Sequence, residues 1–149
     1  MRSRTRKIGK VATLAASEER RFGEIAGRSR QHLDEQLDRL GELNAFRHNY
    51  AKKSSGISTV SSTHWQDYQN FLHRLDTAIN AQQQIVRDCE QRLETHRRRW
   101  LAKRQRLESL ERVLEKYQAE DSIHDARMEQ KRLDDLPNAQ ATCFDIDED

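Results

Sequence analysis

A heptad repeat runs through the second half of the chain and limits what it can fold into. Every seventh residue from Trp65 to Leu114 is apolar, and these residues are the a positions of the repeat. The d positions, which lie three residues after each a position and run from Tyr68 to Tyr117, are mixed in polarity. An apolar repeat that averages 3.5 residues predicts the seam of a coiled coil. The repeat therefore specifies long helices, and it says nothing about chemistry.

Composition agrees with helices that bury one narrow stripe. Charged residues make up 35% of the 149 residues and hydrophobic residues 34%, whereas a typical globular domain has roughly 25% and 45–50%. Lys and Arg total 27 against 25 acidic residues, so the net charge of +2 indicates no particular partner. Two cysteines without metal-ligand spacing fit a reducing compartment. With no apolar run that could form a signal peptide or a membrane span, we expect a cytoplasmic protein.

One break divides the chain into two helices. The segment 52–62, KKSSGISTVSS, is rich in serine and contains Gly56, which predicts a loop. We therefore expect an all-α fold in which two long helices form an antiparallel coiled-coil hairpin with a longer second helix. The expected bounds are helix 1 at about 5–52, the loop at about 53–62 and helix 2 at about 63–136, all in a single domain.

The position of the loop also predicts which residues face each other. With the turn centred near Gly56, Tyr50 lies opposite Trp65 and the small Ala15 lies opposite Trp100. Helix 2 then has no partner beyond about Leu114. Pro137 is the only proline, and we expect helix 2 to end before it. Residues 137–149 carry four acidic and no basic side chains, so we expect an acidic mobile tail.

Motifs of catalysis, cofactor binding and metal binding are missing from the sequence. It contains no phosphate-binding loop, no nucleophile elbow and no HExxH motif. The six histidines never pair at a spacing of four residues, and a histidine at a d position is more often a polar layer of a coiled coil than a metal ligand. We therefore expect no enzymatic activity, no cofactor and no metal.

The residues just before each a position change character along helix 2. Near the loop they are apolar, and further on they become Arg92, Arg99 and Arg106. The predicted hairpin brings the N-terminal cations close to the run RRRWLAKRQR, which would concentrate positive charge. These cations are Arg2, Arg4, Arg6, Lys7 and Lys10. Because such repulsion costs stability, it favours an acidic partner over a solvated face. The candidate basic residues are Arg97, Arg98, Arg99, Lys103, Arg104 and Arg106.

The apolar edge near the loop has two interpretations. Phe71 and Ile85 either widen the packing against helix 1 or form a docking surface for another protein. The sequence leaves both open.

Three ordered blocks in residues 62–136 carry a family resemblance. They are WQDYQNFLHRLDTAI, then RRRWLAKRQRL, then RMEQKRLDD, with LNAFRHNYAK in helix 1 as a weaker match. Together they resemble the FliJ family, cytoplasmic coiled-coil proteins of the flagellar type III export apparatus. Members of this family are similar to the central stalk of a rotary ATPase.

The resemblance implies a function and partners. It implies binding to the hexameric export ATPase through the basic residues named above, and binding to export chaperones. It also implies a contact with the membrane export gate, and hence a location at the inner membrane periphery. The export-gate contact that it implies consists of Phe71, Leu75, Ala78 and Gln82.

Two alternatives of other classes remain open. One is a basic coiled coil that binds nucleic-acid phosphates, although the FliJ resemblance implies no nucleic-acid partner. The other is a parallel homodimeric tether, in which Cys89 would face its own copy at a d position.

Overall fold

The computed structural model describes residues 2–55 and 62–144, and every described residue is helical. Helix α1 spans Arg2–Ser55 and helix α2 spans Ser62–Phe144, so the second helix is the longer one, as expected. The two helices pack against each other as an antiparallel hairpin. Neither of them, over the residues described, has a stretch apolar enough to span a bilayer.

The helix ends differ somewhat from the expected ones. Helix α1 runs on to Ser55, into the segment predicted as a loop, and residues 56–61 lie outside the described part of the chain. The backbone of α2 continues through Pro137 to Phe144. A proline inside a helix removes one backbone hydrogen bond but holds a helical φ angle, so the helix can pass through it. The predicted mobile tail is thus helical up to Phe144, and residues 145–149 lie outside the described residues.

The chain forms two compact units, each with its own packed segments of α1 and α2. The first unit, called here the terminal unit, joins residues 1–19 to 103–149. The second, called here the bend unit, consists of residues 20–102.

The core of the bend unit is a seam at the predicted a and d positions. Its centre is a buried cluster that joins Leu33 of α1 to Val86, Cys89 and Leu93 of α2, with Leu40 packed against it. Fully burying one such side chain stabilises a fold by roughly 1.5–3 kcal/mol. Helix pairing therefore rests on the stripe that the heptad repeat predicted.

A polar pair interrupts this seam. Gln36 and Gln82 are both buried, and the Gln82 amide donates to the Gln36 carbonyl oxygen at 3.0 Å and to its Oε1 at 2.8 Å. Because both hydrogen bonds require these two residues to be level with each other, the pair fixes the alignment of the helices.

The observed alignment differs from the predicted one. Trp100 lies against Gly23, where a Cβ atom added to the glycine would come within 3.0 Å of the indole Nε1, rather than against Ala15. Tyr50 stacks on Tyr68, with ring centroids 5.4 Å apart, rather than on Trp65. The predicted alignment was wrong because the turn was centred near Gly56, whereas the helices end at Ser55 and begin at Ser62. Trp100 was expected to lie opposite a small residue, and it does, but the small residue is Gly23 and not Ala15.

In the terminal unit α1 covers more of α2 than expected. A Cβ atom on Gly9 would lie 3.9 Å from Leu114, and Arg2 reaches Asp125. Every described side chain from Ser122 to Leu136 is exposed. The uncovered part of α2 thus begins near Asp125, not at Leu114, because the helices are displaced from the predicted alignment.

Candidate interaction surfaces

The first half of the predicted basic set lies in the bend unit. Arg97, Arg98 and Arg99 are all exposed on α2. Arg98 Nε donates to Glu94 at 3.0 Å, one turn earlier on the same helix. Within the described residues, Arg97 and Arg99 have no ion pair. Two of these three guanidinium groups are therefore available to an acidic partner.

The second half lies in the terminal unit. Lys103 is half-buried and its Nζ lies 3.1 Å from Glu18 of α1. Arg104 Nε lies 3.4 Å from Glu108. Arg106 is exposed and, over the part of the chain that the structure describes, has no ion pair. Ion pairs as exposed as that of Arg104 contribute about 0–1 kcal/mol, so a partner carboxylate can readily replace them.

Two of the five N-terminal cations, Arg2 and Arg4, do not converge on the basic run as expected. Arg2 pairs with Asp125 at 3.0 Å, and Arg4 pairs with Glu120 at 2.7 Å. The Arg4 guanidinium also lies 3.8 Å from the centre of the Tyr117 ring, a cation–π contact. The expected concentration of charge from these two residues was wrong, because the observed alignment brings acidic side chains of α2 opposite them.

The residues of the predicted export-gate contact have different exposures. Leu75 and Gln82 are buried in the seam, with 8% and 9% of their surface exposed. Phe71 is half-buried, and of these four residues only Ala78 is exposed. Ile85 is exposed on the same edge of α2. In this state of the hairpin the edge presents Phe71, Ala78 and Ile85 to a partner, while Leu75 and Gln82 hold the helices together.

Phe71 belongs to an aromatic cluster near the bend. Its ring centre lies 4.6 Å from that of Tyr50 and 6.2 Å from that of Phe46, both on α1. Tyr68 stacks on Tyr50 and in turn contacts Trp65 at 5.8 Å. Such ring pairs contribute about 0.5–1.5 kcal/mol beyond their buried area. Phe71 therefore widens the seam, which is the first of its two interpretations, and its remaining exposed surface leaves the second open.

An ion pair flanks this cluster. The Arg47 guanidinium donates from Nε and Nη2 to the two carboxylate oxygens of Asp76. This hydrogen bonding is the main cause that lowers the pKa of Asp76; burial opposes it, and the charges of Arg47 and His73 lower the pKa further. The same contact raises the pKa of Arg47. Both groups are thus charged at neutral pH.

A shallow groove lies beside Trp100 in the bend unit. Gly23, Ala26 and Gly27 form one side of it, and Leu93, Trp100, Arg30 and Arg97 complete its lining. Trp100 is half-buried against Gly23, so its ring is not a free platform on which a nucleic-acid base could stack. This placement weighs against the nucleic-acid alternative.

Cys89 bears on the homodimer alternative. Its side chain is 4% exposed and packs in the cluster with Leu33 of its own chain. The fold thus fills the d position of Cys89 with α1, where a parallel dimer would place a second copy.

Several contacts had no clear signal in the sequence. Gln36 lies in α1, and its pairing with Gln82 depends on an alignment that differs from the predicted one. The same holds for Arg47 with Asp76. A search for polar residues at seam positions of both helices would have found the glutamine pair, since Gln82 is a d position of the heptad count.

Comparisons with known proteins agree with the resemblance. The family model described as "Flagellar FliJ protein" matches residues 5–141. The chain is 28% identical over 118 residues to the flagellar FliJ protein of Escherichia coli strain K12, covering 78% of each chain. It is 27% identical over 118 residues to the flagellar FliJ protein of Salmonella typhi, with the same coverage. No solved structure matches the chain significantly. Since the family model covers nearly the whole hairpin, the chain belongs to the family of flagellar FliJ proteins.

Proposed function

We propose that this chain is a non-catalytic component of the flagellar type III protein export apparatus that binds and stimulates the hexameric export ATPase. Family membership supports a flagellar role. The observation that carries the ATPase contact is that Arg97, Arg99 and Arg106 are exposed and have no ion pair with other described residues. These arginines, with Arg98, Lys103 and Arg104, are the proposed contact.

Electrostatics explains why these arginines suit a protein partner. The segment from Thr95 to Leu107 carries six basic and no acidic side chains. Exposed charges of one sign speed the encounter with an oppositely charged surface and set its orientation. Arginine is also the side chain best suited to bidentate contacts with carboxylates. Acidic residues of the ATPase are therefore the proposed counterpart.

The chain also links the ATPase to the export gate and to export chaperones in this proposal. The gate contact begins at Phe71 and Ala78, which have exposed surface, with Ile85 extending the same edge. Leu75 and Gln82 act by holding α2 in place from inside the seam. The protein then works in the cytoplasm, peripherally associated with the inner-membrane apparatus.

Charge reversal tests the ATPase contact. The variant Arg97→Glu, Arg99→Glu, Arg106→Glu should retain its helix content, because none of the three residues is in the seam. The concentration that half-maximally stimulates the cognate export ATPase should rise roughly tenfold or more. Circular dichroism checks the fold, and phosphate release measures the stimulation.

A matched triple variant controls for the change in net charge. Arg28, Arg39 and Arg74 are also exposed and have no ion pair within the described residues. Changing all three to glutamate alters the net charge equally and should leave stimulation unchanged. Equal loss in both triple variants would reject the specific contact, and a wild-type chain that does not stimulate the ATPase would reject the proposed function.

A further inference from the structure

Two large aromatic side chains are exposed at the end of the bend unit nearest the turn. Phe46 of α1 is 53% exposed and Trp65 of α2 is 56% exposed. Both belong to the aromatic cluster, whose other rings, Tyr50, Tyr68 and Phe71, are half-buried. Packing within the hairpin accounts for the half-buried rings, whereas the outer surfaces of Phe46 and Trp65 face water. Exposed apolar surface of this kind marks an interaction site.

The outer rings are held in place by the inner ones. Phe46 contacts Tyr50 at 6.4 Å and Phe71 at 6.2 Å between ring centres. Trp65 contacts Tyr68 at 5.8 Å. A partner would therefore meet two rings whose positions are already fixed, which lowers the entropy cost of binding.

Basic residues outnumber acidic ones in the sequence around these rings, with Asp67 lying two residues after Trp65. From residue 43 to residue 66 the sequence has no acidic residue, while it contains Arg47, Lys52 and Lys53 and two histidines. Asp76 neutralises Arg47. Lys52 and Lys53 are exposed in the last turn of α1, where the helix dipole also favours a cation. The dipole explains lysines at this helix end, but it does not explain exposed aromatic rings beside them.

We propose that the surface formed by Phe46, Trp65 and Lys53 binds an anionic lipid bilayer. Tryptophan and tyrosine favour the headgroup region, and lysine stems extend towards lipid phosphates while their methylenes stay in apolar surroundings.

Tryptophan fluorescence tests the proposal, because the chain has only two tryptophans. In the variant Trp100→Phe, Trp65 is the only reporter. Vesicles of phosphatidylcholine with about a third phosphatidylglycerol should shift its emission to shorter wavelength and protect it from acrylamide, and pure phosphatidylcholine vesicles should do so much less. In Trp65→Phe the remaining Trp100, which packs on Gly23, should report no change.

Vesicle co-sedimentation with matched variants locates the surface. Phe46→Ser should weaken binding to the anionic vesicles through the loss of apolar surface. Lys53→Glu should weaken it by about fivefold for each unit of charge changed. Leu133→Ser and Lys131→Glu change equally exposed positions of α2, Leu133 being 54% exposed, and should bind like the wild type.

Three results would overturn the proposal: no spectral shift of Trp65 on anionic vesicles, equal losses in the matched variants, or binding to a single-stranded oligonucleotide without binding to vesicles. The proposal goes beyond the ATPase contact, and the vesicle assay contains no ATPase, so either one can fail without the other.

Discussion

The side-chain amide of Gln82 donates to two oxygens of Gln36, and both residues are buried between the helices. No buried side-chain polar atom among the described residues is left without a partner. Polar layers of this kind lower the stability of a coiled coil while selecting one alignment over its alternatives.

Substitutions of this pair should therefore be strongly non-additive. Gln82→Leu alone leaves the Gln36 amide buried without its partner and should destabilise the hairpin by about 1–3 kcal/mol. Adding Gln36→Leu should recover most of that loss, since two leucines pack without polar groups. Urea unfolding of both single variants and the double variant measures the coupling. Additive losses would show that the hydrogen bonds do not matter to the alignment.

The glycines of α1 should respond differently to the same substitution. Gly27 and Gly41 have nothing within 4 Å of an added Cβ, so Gly27→Ala and Gly41→Ala should each stabilise the protein by about 1 kcal/mol. At Gly23 the added methyl would lie 3.0 Å from Trp100 Nε1, so Gly23→Ala should gain less or lose stability.

Thermal unfolding of the three alanine variants, with Gly23→Ala repeated in a Trp100→Ala background, checks this explanation. If Gly23→Ala raises the thermal stability once Trp100 is replaced, contact with the indole explains why Gly23 differs from Gly27 and Gly41. A full gain in the presence of Trp100 would contradict it.

The Arg47–Asp76 pair should make stability depend on acid. Because folding lowers the pKa of Asp76, its stabilisation is present above the unfolded value of 3.8 and is lost as the pH falls through the lower folded value. Asp76→Asn should thus lower the urea midpoint at pH 7, and the difference from the wild type should shrink as the pH falls below 3.8 and vanish once Asp76 is protonated in the folded state. Asp67→Asn, at an exposed residue, serves as the control and should show little effect at either pH. A difference that persists in acid would point to packing rather than charge.

Cys89 should be protected by the hairpin. In a Cys143→Ser background, its thiol should react with a thiol reagent far more slowly in the native state than in urea, because α1 covers it. Mild oxidation of this variant should yield no disulfide-linked dimer. A high yield of dimer would support the parallel homodimer and contradict the hairpin.

Much of the fold was predictable because a heptad repeat depends only on residue spacing. The seam of α2 follows the count from Leu72 to Tyr117, and each of these a and d positions is buried or half-buried. The polar member Gln82 is buried with the rest, as its position in the repeat requires. The serine-rich segment likewise predicted a break in the helical chain, and its residues 56–61 lie outside the described part.

The alignment was harder to predict because it depends on contacts between distant residues. Helix α1 has small side chains at buried positions, such as Ala12, Ala15 and Ala26, and these specify no particular partner. The turn fixes alignment only if its centre is known, and an error there changes every pairing. The neutralisation of Arg2 and Arg4 by acidic residues of α2 could not be foreseen from the assumed alignment.

Where Trp100 meets Gly23, the missing side chain of the glycine leaves a notch that the indole ring occupies. Extra residues in the connection between Ser55 and Ser62 would change chain length while leaving that fit intact, since the entropy of a longer connection grows slowly. One residue inserted between Gly23 and Gln36 would instead change their spacing along α1. The contact of Gly23 with Trp100 and the hydrogen bonds of Gln36 with Gln82 could then no longer form together. The spacing between Gly23 and Gln36 is therefore constrained more tightly than the number of residues that connect the two helices.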